Sequence, residues 1–197
     1  MTSSRRILLI EGHPDASAER LNRTLVEAYA AGATAAGHQV RRITVGEIAF
    51  PWLKSADAWQ HAALPPSLQP AQDGISWAEH VVLFFPLWLG DMPALLKAFL
   101  EQVARPGFAV GPEGAKPFGH KPLSGRSARV VVTMGMPALV YRWYFRAHSV
   151  KSLERNILGF VGFAPIHETL IGSVDSLGPE GVARWLKKLD KLGAQAS

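Results

Sequence analysis

VVLFFPLWLGDMPALLKAFLEQV, residues 81–103, passes from a continuous apolar run through a tight turn into a helical pattern. The run from Val81 to Phe85 predicts a strand that is buried on both faces, which is typical of a parallel sheet. The pattern from Pro93 to Val103 predicts a helix with proline in its first turn, where the missing N–H costs least. Trp88 lies in the turn between them, and its indole either fills a gap in the core or faces a flat ligand.

The rest of the chain repeats this alternation of strand and helix. Four further strands are predicted, at residues 5–12, 39–45, 128–133 and 166–171. Further helices are predicted from a Ser17 cap to Gly37 and at residues 69–80, 141–148, 150–159 and 179–192. Residues 46–68 are a long excursion with room for a short helix, and residues 105–127 hold too many prolines and glycines for a regular element. The alternation predicts a parallel sheet of five strands covered by helices on both faces.

The composition fits one globular domain in a reducing compartment. The chain has 197 residues, 48% of them hydrophobic, and no cysteine, which excludes disulfides, thiolate nucleophiles and cysteine-based metal sites. The four apolar residues after Arg5 and Arg6 are too few for a signal peptide, and no apolar run approaches the ~20 residues of a membrane span. We therefore expect one domain over residues 1–197 in a soluble, cytoplasmic protein.

The positive charge is spread along the chain. The net charge is +5, and the Lys and Arg residues are scattered instead of forming a stripe interleaved with aromatic residues. No nucleic-acid partner is expected, because its footprint would be clustered on one face. A mild positive field suits anionic small ligands such as phosphates, although ordinary solubilising charge explains it equally well.

Three loops of unusual composition follow the first, third and fourth predicted strands. They are GHPDASAERLN (12–22), PLWLGDMP (86–93) and TMGMPALVY (133–141). In a sheet of order 2-1-3-4-5 these strands are neighbours, and ligands of open α/β sheets bind beyond the carboxyl ends of the strands. The three loops are therefore expected to border one crevice.

The first of these loops has the features of a phosphate site. It precedes a helix, whose N–H groups and dipole attract a phosphate, and His13, Ser17 and Asn22 add polar side chains. Plain helix capping with a surface histidine explains the same residues. The chain has neither G-x-G-x-x-G after its first strand nor G-x-x-x-x-G-K-[ST], so a dinucleotide-type site and a P-loop are not expected.

The other two loops carry aromatic and small residues. Trp88 and Leu89 can form an apolar platform for a flat ring, and Gly90 allows close approach of the backbone. If residues 141–148 are helical, Tyr141 and His148 share a face and can donate hydrogen bonds to a ligand with a carbonyl group. The alternatives are a tryptophan that fills the core and an aromatic helix with a satisfied core histidine.

Other catalytic constellations are missing from the sequence. The seven histidines lack metal-ligand spacing such as H-E-x-x-H, so no catalytic metal is expected, and no serine lies in a G-x-S-x-G elbow. Asp15 and Asp91 do not make a convincing acid–base pair. Difficult chemistry would then depend on a bound cofactor.

Taken together, the three motifs resemble those of the flavodoxin-like NAD(P)H:quinone oxidoreductases, the DT-diaphorase-like family. GHPDASAERLNRTL, FPLWLGDMPALLKAF and VVVTMGMPALVYRW occur in the family's order, and the likeness spans nearly the whole chain. The resemblance implies a flavodoxin-like three-layer sandwich with strand order 2-1-3-4-5, a bound flavin, and a homodimer with the active site at the subunit interface. It also implies two-electron reduction of quinones by NADPH or NADH. We expect a ping-pong order, because one pocket cannot easily hold nicotinamide and quinone together.

The resemblance also assigns roles by position. The residues that match the flavin phosphate segment are His13, Ser17, Leu21 and Asn22. The residues that match the turn along the isoalloxazine ring are Pro86, Leu87, Trp88, Leu89 and Gly90. The strand-end turn that supports the ring is matched by Thr133, Met134, Gly135 and Met136, the last standing where relatives often carry a second glycine. Tyr141 matches the family tyrosine near the nicotinamide and quinone, and His148 matches the following histidine with a one-residue shift; both are expected to assist catalysis.

Two other functions stay open at this point. One is a flavodoxin-type electron carrier, although such carriers are typically strongly acidic and this chain is basic. The other is a flavin-binding ancillary subunit of a potassium efflux system, which would have a membrane protein as its partner. FAD and FMN, like NADPH and NADH, are equal candidates.

Two segments outside the motifs are expected to complete the site and the dimer. Residues 105–127 would supply a pocket wall. The aromatic residues that look exposed and would need cover in a homodimer are Phe50, Trp52, Phe108 and Phe118.

Overall fold

A computed structural model describes residues 3–111 and 121–197. Five parallel strands form one sheet with the order β2-β1-β3-β4-β5, which confirms the expected topology. The strands are β1 (Arg6–Glu11), β2 (Gln39–Thr44), β3 (His80–Pro86), β4 (Ser127–Thr133) and β5 (Ile166–Ile171). The helices are α1 (Leu21–Ala35), α2 (Ala56–His61), α3 (Gln69–Trp77), α4 (Ala94–Val103), α5 (Ala138–Trp143), α6 (His148–Ser152), α7 (Gly159–Val161) and α8 (Gly178–Ala194). A π-helical segment, Leu153–Leu158, joins α6 to α7, and 3₁₀ turns lie at Val45–Glu47, Pro66–Leu68 and Val174–Ser176.

The sheet is covered on both faces. Every residue of β3 and β4 is buried, as expected of central parallel strands. Successive residues of β1 point to opposite faces, so that Ile7 and Leu9 pack with α1 and α8, whereas Leu8 and Ile10 pack with α3, α4 and α6. The result is the three-layer sandwich that the alternation of strands and helices predicts.

Helices α1 and α8 touch backbone to backbone through two glycines. A Cβ atom built on Gly32 would lie 1.9 Å from the carbonyl oxygen of Asp190, and one built on Gly193 would lie 2.0 Å from the carbonyl oxygen of Tyr29. In real proteins a Cβ atom essentially never lies within 3.0 Å of a neighbouring non-hydrogen atom to which it is not bonded. Glycine at both positions therefore allows the last helix to pack directly against the first.

Two helix starts differ from those predicted. Helix α1 begins only at residue 21, so Ser17 does not cap it; the Ser17 hydroxyl instead accepts a hydrogen bond from the N–H of Glu19 at 3.4 Å, in the turn before the helix. Pro93 precedes α4 and is not in its first turn, because its ψ of 142° is extended. The sequence pattern thus places the start of α1 too early, at Ser17, and the start of α4 one residue too early, at Pro93.

Other boundaries move by a few residues. Helix α3 ends at Trp77, short of the predicted residue 80, because His80 already pairs with β1 as the first residue of β3. Within the predicted irregular segment 105–127, the structure shows no helix or strand in residues 105–111 and 121–126. Phe118 and the other residues of 112–120 lie outside the described part of the chain. None of the helices in the described ranges is long and apolar enough to cross a membrane.

Candidate functional site

The loops that follow β1, β3 and β4 meet at one edge of the sheet. The N–H of Gly12 donates to the carbonyl of Phe84 at 2.7 Å, and the N–H of Leu87 donates to the carbonyl of Thr133 at 2.7 Å. Each hydrogen bond continues the pairing of two neighbouring strands into the loops beyond them. We call these the first loop (residues 12–20), the second loop (residues 87–93) and the third loop (residues 134–137).

The first loop is braced by its own side chains. Asp15 accepts a hydrogen bond from the N–H of Ser17 at 2.9 Å and pairs with Arg20 at 2.5 Å, and these contacts lower the pKa of Asp15. His13 Nδ1 accepts a hydrogen bond from the N–H of Asp15 at 3.0 Å, and partial burial lowers the pKa of His13. Arg20, the residue before α1, makes no side-chain capping hydrogen bond. The first turn of α1 therefore keeps N–H groups that an anion can accept from.

Beneath the first loop lies a buried polar cluster formed by Glu11, Asn22 and Arg23. Arg23 pairs with Glu11 at 3.1 Å, donates to the carbonyl of Ala16 at 3.2 Å and pairs with Glu47 at 3.0 Å. Burial raises the pKa of Glu11, and the nearby Arg23 charge opposes that rise. Arg23 therefore ties the first loop to the end of β1 and to the turn after β2.

The Asn22 amide is buried without a completed hydrogen bond. Only 2% of the residue is exposed, and although the amide lies near the Glu11 carboxylate and helps to lower its pKa, neither Nδ2 nor Oδ1 reaches hydrogen-bond geometry with a described residue. The Nε of Arg23 likewise lacks a partner within the described part of the chain. Buried polar atoms are normally satisfied, so these atoms indicate a ligand or water at the start of α1. A phosphate ester fits the start of the helix, because the helix dipole and the amide favour an anion, whereas the Arg23 guanidinium is already paired with Glu11 and Glu47.

The second loop forms a tight turn that presents side chains to solvent. Reciprocal hydrogen bonds between Trp88 and Asp91, at 2.8 and 3.0 Å, close the turn, and both Leu89 and Gly90 have positive φ, 48° and 83°. A non-glycine residue in this region is strained, and such strain often marks a functional position. The Trp88 side chain is 48% exposed and meets His13 edge-on, with ring centroids 5.6 Å apart. Trp88 therefore does not fill the core; it links the second loop to the first.

The segment after the third loop is not one helix. Helix α5 ends at Trp143, and Arg146 and Ala147 both adopt left-handed backbone conformations, with φ of 53° and 49°, before α6 begins at His148. Tyr141 and His148 therefore do not share a helix face, and that expectation was wrong. The turn nevertheless brings His148 back toward Tyr141.

A cavity between the second loop and this turn brings several predicted residues together. We call this cavity of about 380 Å³ the rim cavity. It is lined by Leu89, Gly90, Met136, Tyr141, Phe145, His148 and Ser149. The rim cavity thus contains both residues that the resemblance assigns to catalysis, together with parts of two of the loops.

Tyr141 takes part in a small hydrogen-bond network. Its ring is buried, and its hydroxyl lies 2.6 Å from the Ser149 hydroxyl and accepts a hydrogen bond from the N–H of Val150 at 3.3 Å. If the phenol donates to Ser149, the Ser149 proton is available to a group in the rim cavity. The pair can then deliver a proton to a ligand oxygen, and the exposed imidazole of His148 can do the same from a different wall.

The remaining predicted residues surround these groups without lining the rim cavity. Pro86, Thr133 and Met134 are buried at the strand ends, Leu21 and Leu87 are half-buried, and Gly135 is exposed close to Asp175. The sequence patterns miss Glu11, Arg23, Phe145 and Ser149. Ser149 lies eight residues after Tyr141, and no helix or strand periodicity in the sequence predicts their contact. The contact depends on the left-handed turn between them.

The sequence itself matches a known family over most of its length. The family model Flavodoxin_2, described as a flavodoxin-like fold, matches residues 5–193. The chain belongs to this family. Flavodoxin_2 membership confirms the resemblance at the level of the fold family and accounts for the strand order of the sheet.

Two curated relatives share parts of this Flavodoxin_2 chain. KefG, the glutathione-regulated potassium-efflux system ancillary protein of Escherichia coli, is 30% identical over 146 residues, which cover 73% of this chain and 65% of KefG. The ribosyldihydronicotinamide dehydrogenase-like protein traD of Penicillium crustosum is 33% identical over 90 residues, which cover 43% of this chain and 34% of that protein. The matched region therefore spans about a third to two thirds of the length of these relatives.

Solved structures share the Flavodoxin_2 architecture over almost the whole chain. The NAD(P)H:quinone oxidoreductase from Methanothermobacter marburgensis superposes with a TM-score of 0.80 at 21% identity, covering 98% of this chain and 97% of that one. The FMN-dependent NADH-azoreductase from Bacillus anthracis, in complex with FMN, gives a TM-score of 0.73 at 15% identity, covering 96% and 98% of the two chains. At these identities the likeness establishes the fold.

Proposed function

We propose that this Flavodoxin_2 protein is a flavin-dependent NAD(P)H:quinone oxidoreductase. The observation that carries the proposal is the meeting of three loops at one sheet edge, with the unpartnered Asn22 amide on one side and the rim cavity on the other. This arrangement suits a ligand that has both a phosphate group and a flat ring. The reaction class is supported by two structural neighbours, which are described as an NAD(P)H:quinone oxidoreductase and an FMN-dependent NADH-azoreductase.

The proposal divides the flavin between the loops. The first loop and Asn22 would hold the phosphate, and the second and third loops would lie along the isoalloxazine ring. A flavin held there would supply hydride transfer from NADPH or NADH to a quinone or related acceptor. FMN is the first candidate, because the N–H groups at the start of α1 and the Asn22 amide suit one phosphate and a neighbouring fold is described as an FMN complex.

The rim cavity would serve the nicotinamide and the acceptor in turn. Its volume of about 380 Å³ suits one ring system at a time, which supports a ping-pong order. Leu89 and Phe145 supply apolar walls, while the Tyr141–Ser149 pair and His148 can donate protons to oxygens of the acceptor. Most of the rate would come from holding the reacting groups in place, because correct positioning removes much of the entropic barrier.

Replacement of Asn22 tests the phosphate end of the site. Asn22→Ala is expected to raise the FMN dissociation constant by about 10- to 100-fold, because hydrogen bonds to a charged group contribute about 1.5–3 kcal/mol. Quenching of flavin fluorescence on titration measures the constant. Thr24→Ala, an exposed position in the same turn of α1, should bind FMN like the wild type. A wild-type protein that takes up neither FMN nor FAD at micromolar concentration would remove the whole proposal.

The similarity to KefG supports a second candidate function. KefG is named as an ancillary protein of a potassium-efflux system, so this chain is also a candidate regulatory partner of a membrane transport protein. Co-purification with a membrane protein from the native host would support that role. A plain electron carrier is disfavoured, since transfer of single electrons between proteins needs no rim cavity.

We also propose a homodimer, formed on the side of α2, α4 and α7. Phe50 and Phe108 pack partly against the core, so these two residues are not the exposed aromatics that the sequence suggests. Trp52 is exposed, and Trp59 and Phe160 line a groove of about 210 Å³ that a second copy could fill. Apolar surface of this kind commonly marks an interface.

A charge placed in this groove tests the interface. Phe160→Arg is expected to convert the dimer to a monomer in sedimentation velocity at micromolar concentration, because a buried unpaired guanidinium group is strongly unfavourable. Leu139→Arg on α5 serves as the control and should remain dimeric. If wild-type protein sediments as a monomer at high micromolar concentration, the dimer proposal is wrong.

A further inference from the structure

We propose that the outward face of α5 docks on an anionic lipid surface. We call the α5 face the set of Leu139, Val140, Trp143 and Tyr144. All four are exposed, and Leu139, Trp143 and Tyr144 have 71–79% of their surface accessible. Leu139, Val140, Trp143 and Tyr144, the residue that follows the helix, lie on adjoining sides of α5, whereas Tyr141 between them is buried. A surface helix normally turns its apolar side inward, whereas α5 turns most of its apolar side chains outward.

The apolar surface continues toward the rim cavity. Leu89 and Phe145 are both exposed and both line the mouth of that cavity. Contiguous apolar surface of this kind on a soluble domain usually marks a contact with a protein or a membrane.

The chemistry of the α5 face favours lipid. Tryptophan and tyrosine are the residues enriched where a protein meets the headgroup region of a bilayer, because each combines an apolar ring with a polar group. Arg142, Arg146 and Lys151 lie in or beside the face, and residues 136–153 contain no Asp or Glu. Basic residues beside an apolar surface are attracted to anionic headgroups, which are concentrated on the cytoplasmic leaflet.

The carboxylates of neighbouring elements change this balance only in part. Glu168 of β5 pairs with Arg142, and Asp91 of the second loop is exposed beyond Leu89. Glu154 of the π-helical segment lies near Lys151 and Arg142, whose charges oppose the rise in its pKa that burial causes. Arg146, beside the α5 face, remains as an exposed positive charge outside these contacts. A second copy is a poorer occupant, since a two-fold contact between two α5 faces would bring the same basic residues together.

Docking in this orientation would have a use under the proposed function. The rim cavity opens beside the α5 face, so the proposed acceptor site would lie next to the lipid. That consequence rests on the oxidoreductase proposal, but docking itself requires neither flavin nor activity.

Vesicle binding tests the proposal directly. Co-sedimentation would compare vesicles of phosphatidylcholine alone with vesicles of phosphatidylcholine and phosphatidylglycerol. We expect at least tenfold tighter binding to the anionic mixture, and weaker binding as salt is raised, because salt screens the attraction of exposed charges. The double variant Trp143→Ala/Tyr144→Ala should lose at least tenfold in affinity, and Arg146→Gln about fivefold, the size expected for one basic residue at an anionic surface.

A matched variant separates docking from general stickiness. Arg184→Gln removes an exposed basic residue on α8, away from the α5 face, and should bind vesicles like the wild type. Unchanged binding of the double variant, equal binding to both vesicles, or no binding to anionic vesicles would each overturn the proposal. Loss of the dimer in the double variant, measured by sedimentation, would assign the α5 face to a second copy and overturn it as well. Vesicle binding needs no flavin, so a protein that does not bind vesicles leaves the oxidoreductase proposal intact. Likewise, a protein that binds vesicles but has no oxidoreductase activity leaves the docking proposal intact.

Discussion

Tyr141→Phe and His148→Ala are each expected to slow the NADPH-driven reduction of the bound flavin by about 10- to 1000-fold, within the range of acid–base and oxyanion-type contributions. The phenol lies 2.6 Å from the Ser149 hydroxyl, and both side chains border the rim cavity with His148. Donors in this position gain strength as negative charge develops on the reacting ring or on the acceptor oxygen. Flavin binding should survive both changes, because neither residue lies at the phosphate end.

Stopped-flow measurement of flavin bleaching after mixing with NADPH gives the rates. Tyr144→Phe and His167→Ala are suitable controls, because both residues are exposed and neither lines the rim cavity. Ser149→Ala distinguishes the route of the proton: a loss equal to that of Tyr141→Phe indicates that the phenol acts through Ser149. Wild-type rates in both Tyr141→Phe and His148→Ala would leave these residues with a packing role alone.

Gly32→Ala is expected to reduce the free energy of unfolding by about 3 kcal/mol, at the upper end of typical overpacking costs. The added Cβ would lie 1.9 Å from the Asp190 carbonyl oxygen, so α1 and α8 must separate. For a chain of this length the loss corresponds to a fall in melting temperature of roughly 6–12 °C. Urea unfolding followed by circular dichroism measures the change.

Gly74→Ala in α3 provides the comparison. Its added Cβ would meet a methyl group of Leu8 at 3.2 Å, and a side-chain methyl can move where a backbone carbonyl cannot. Because alanine favours a helix over glycine by about 1 kcal/mol, Gly74→Ala should stay within about 1 kcal/mol of the wild type. A Gly32→Ala protein as stable as the wild type would show that the close contact of α1 and α8 carries little of the stability.

Much of the fold follows from local pattern. The limits of β5 agree with the prediction, those of β3 extend one residue further at each end, and β4 begins one residue earlier. The continuous apolar run of β3 is typical of a central parallel strand, and proline and glycine next to β5 mark its ends. The starts of helices α1 and α4 were predicted less accurately than the strands. Ser17 and Pro93 are ordinary start signals, yet both lie outside the helices, since the first loop is held by Asp15 and the ψ of Pro93 remains extended.

The candidate site was predictable as a set of loops but not as a set of contacts. The order of the strands brings the loops together, which the alternation and the resemblance anticipate. The left-handed turn at Arg146 and Ala147 gives no signal, because neither residue is glycine. The pairing of Arg23 with Glu11 joins a helix to a strand end, and such contacts depend on packing that no spacing in the sequence encodes.

The edge-on contact of His13 with Trp88 would make the two halves of the proposed flavin site thermodynamically dependent on each other. His13 belongs to the loop at the phosphate end, and Trp88 belongs to the loop along the ring. A ligand that orders one loop reduces the conformational entropy that the other still has to lose. Such coupling is reciprocal, so inorganic phosphate and a flavin without phosphate would each bind more tightly in the presence of the other. FMN, which carries both parts in one molecule, would gain this cooperativity in a single binding event.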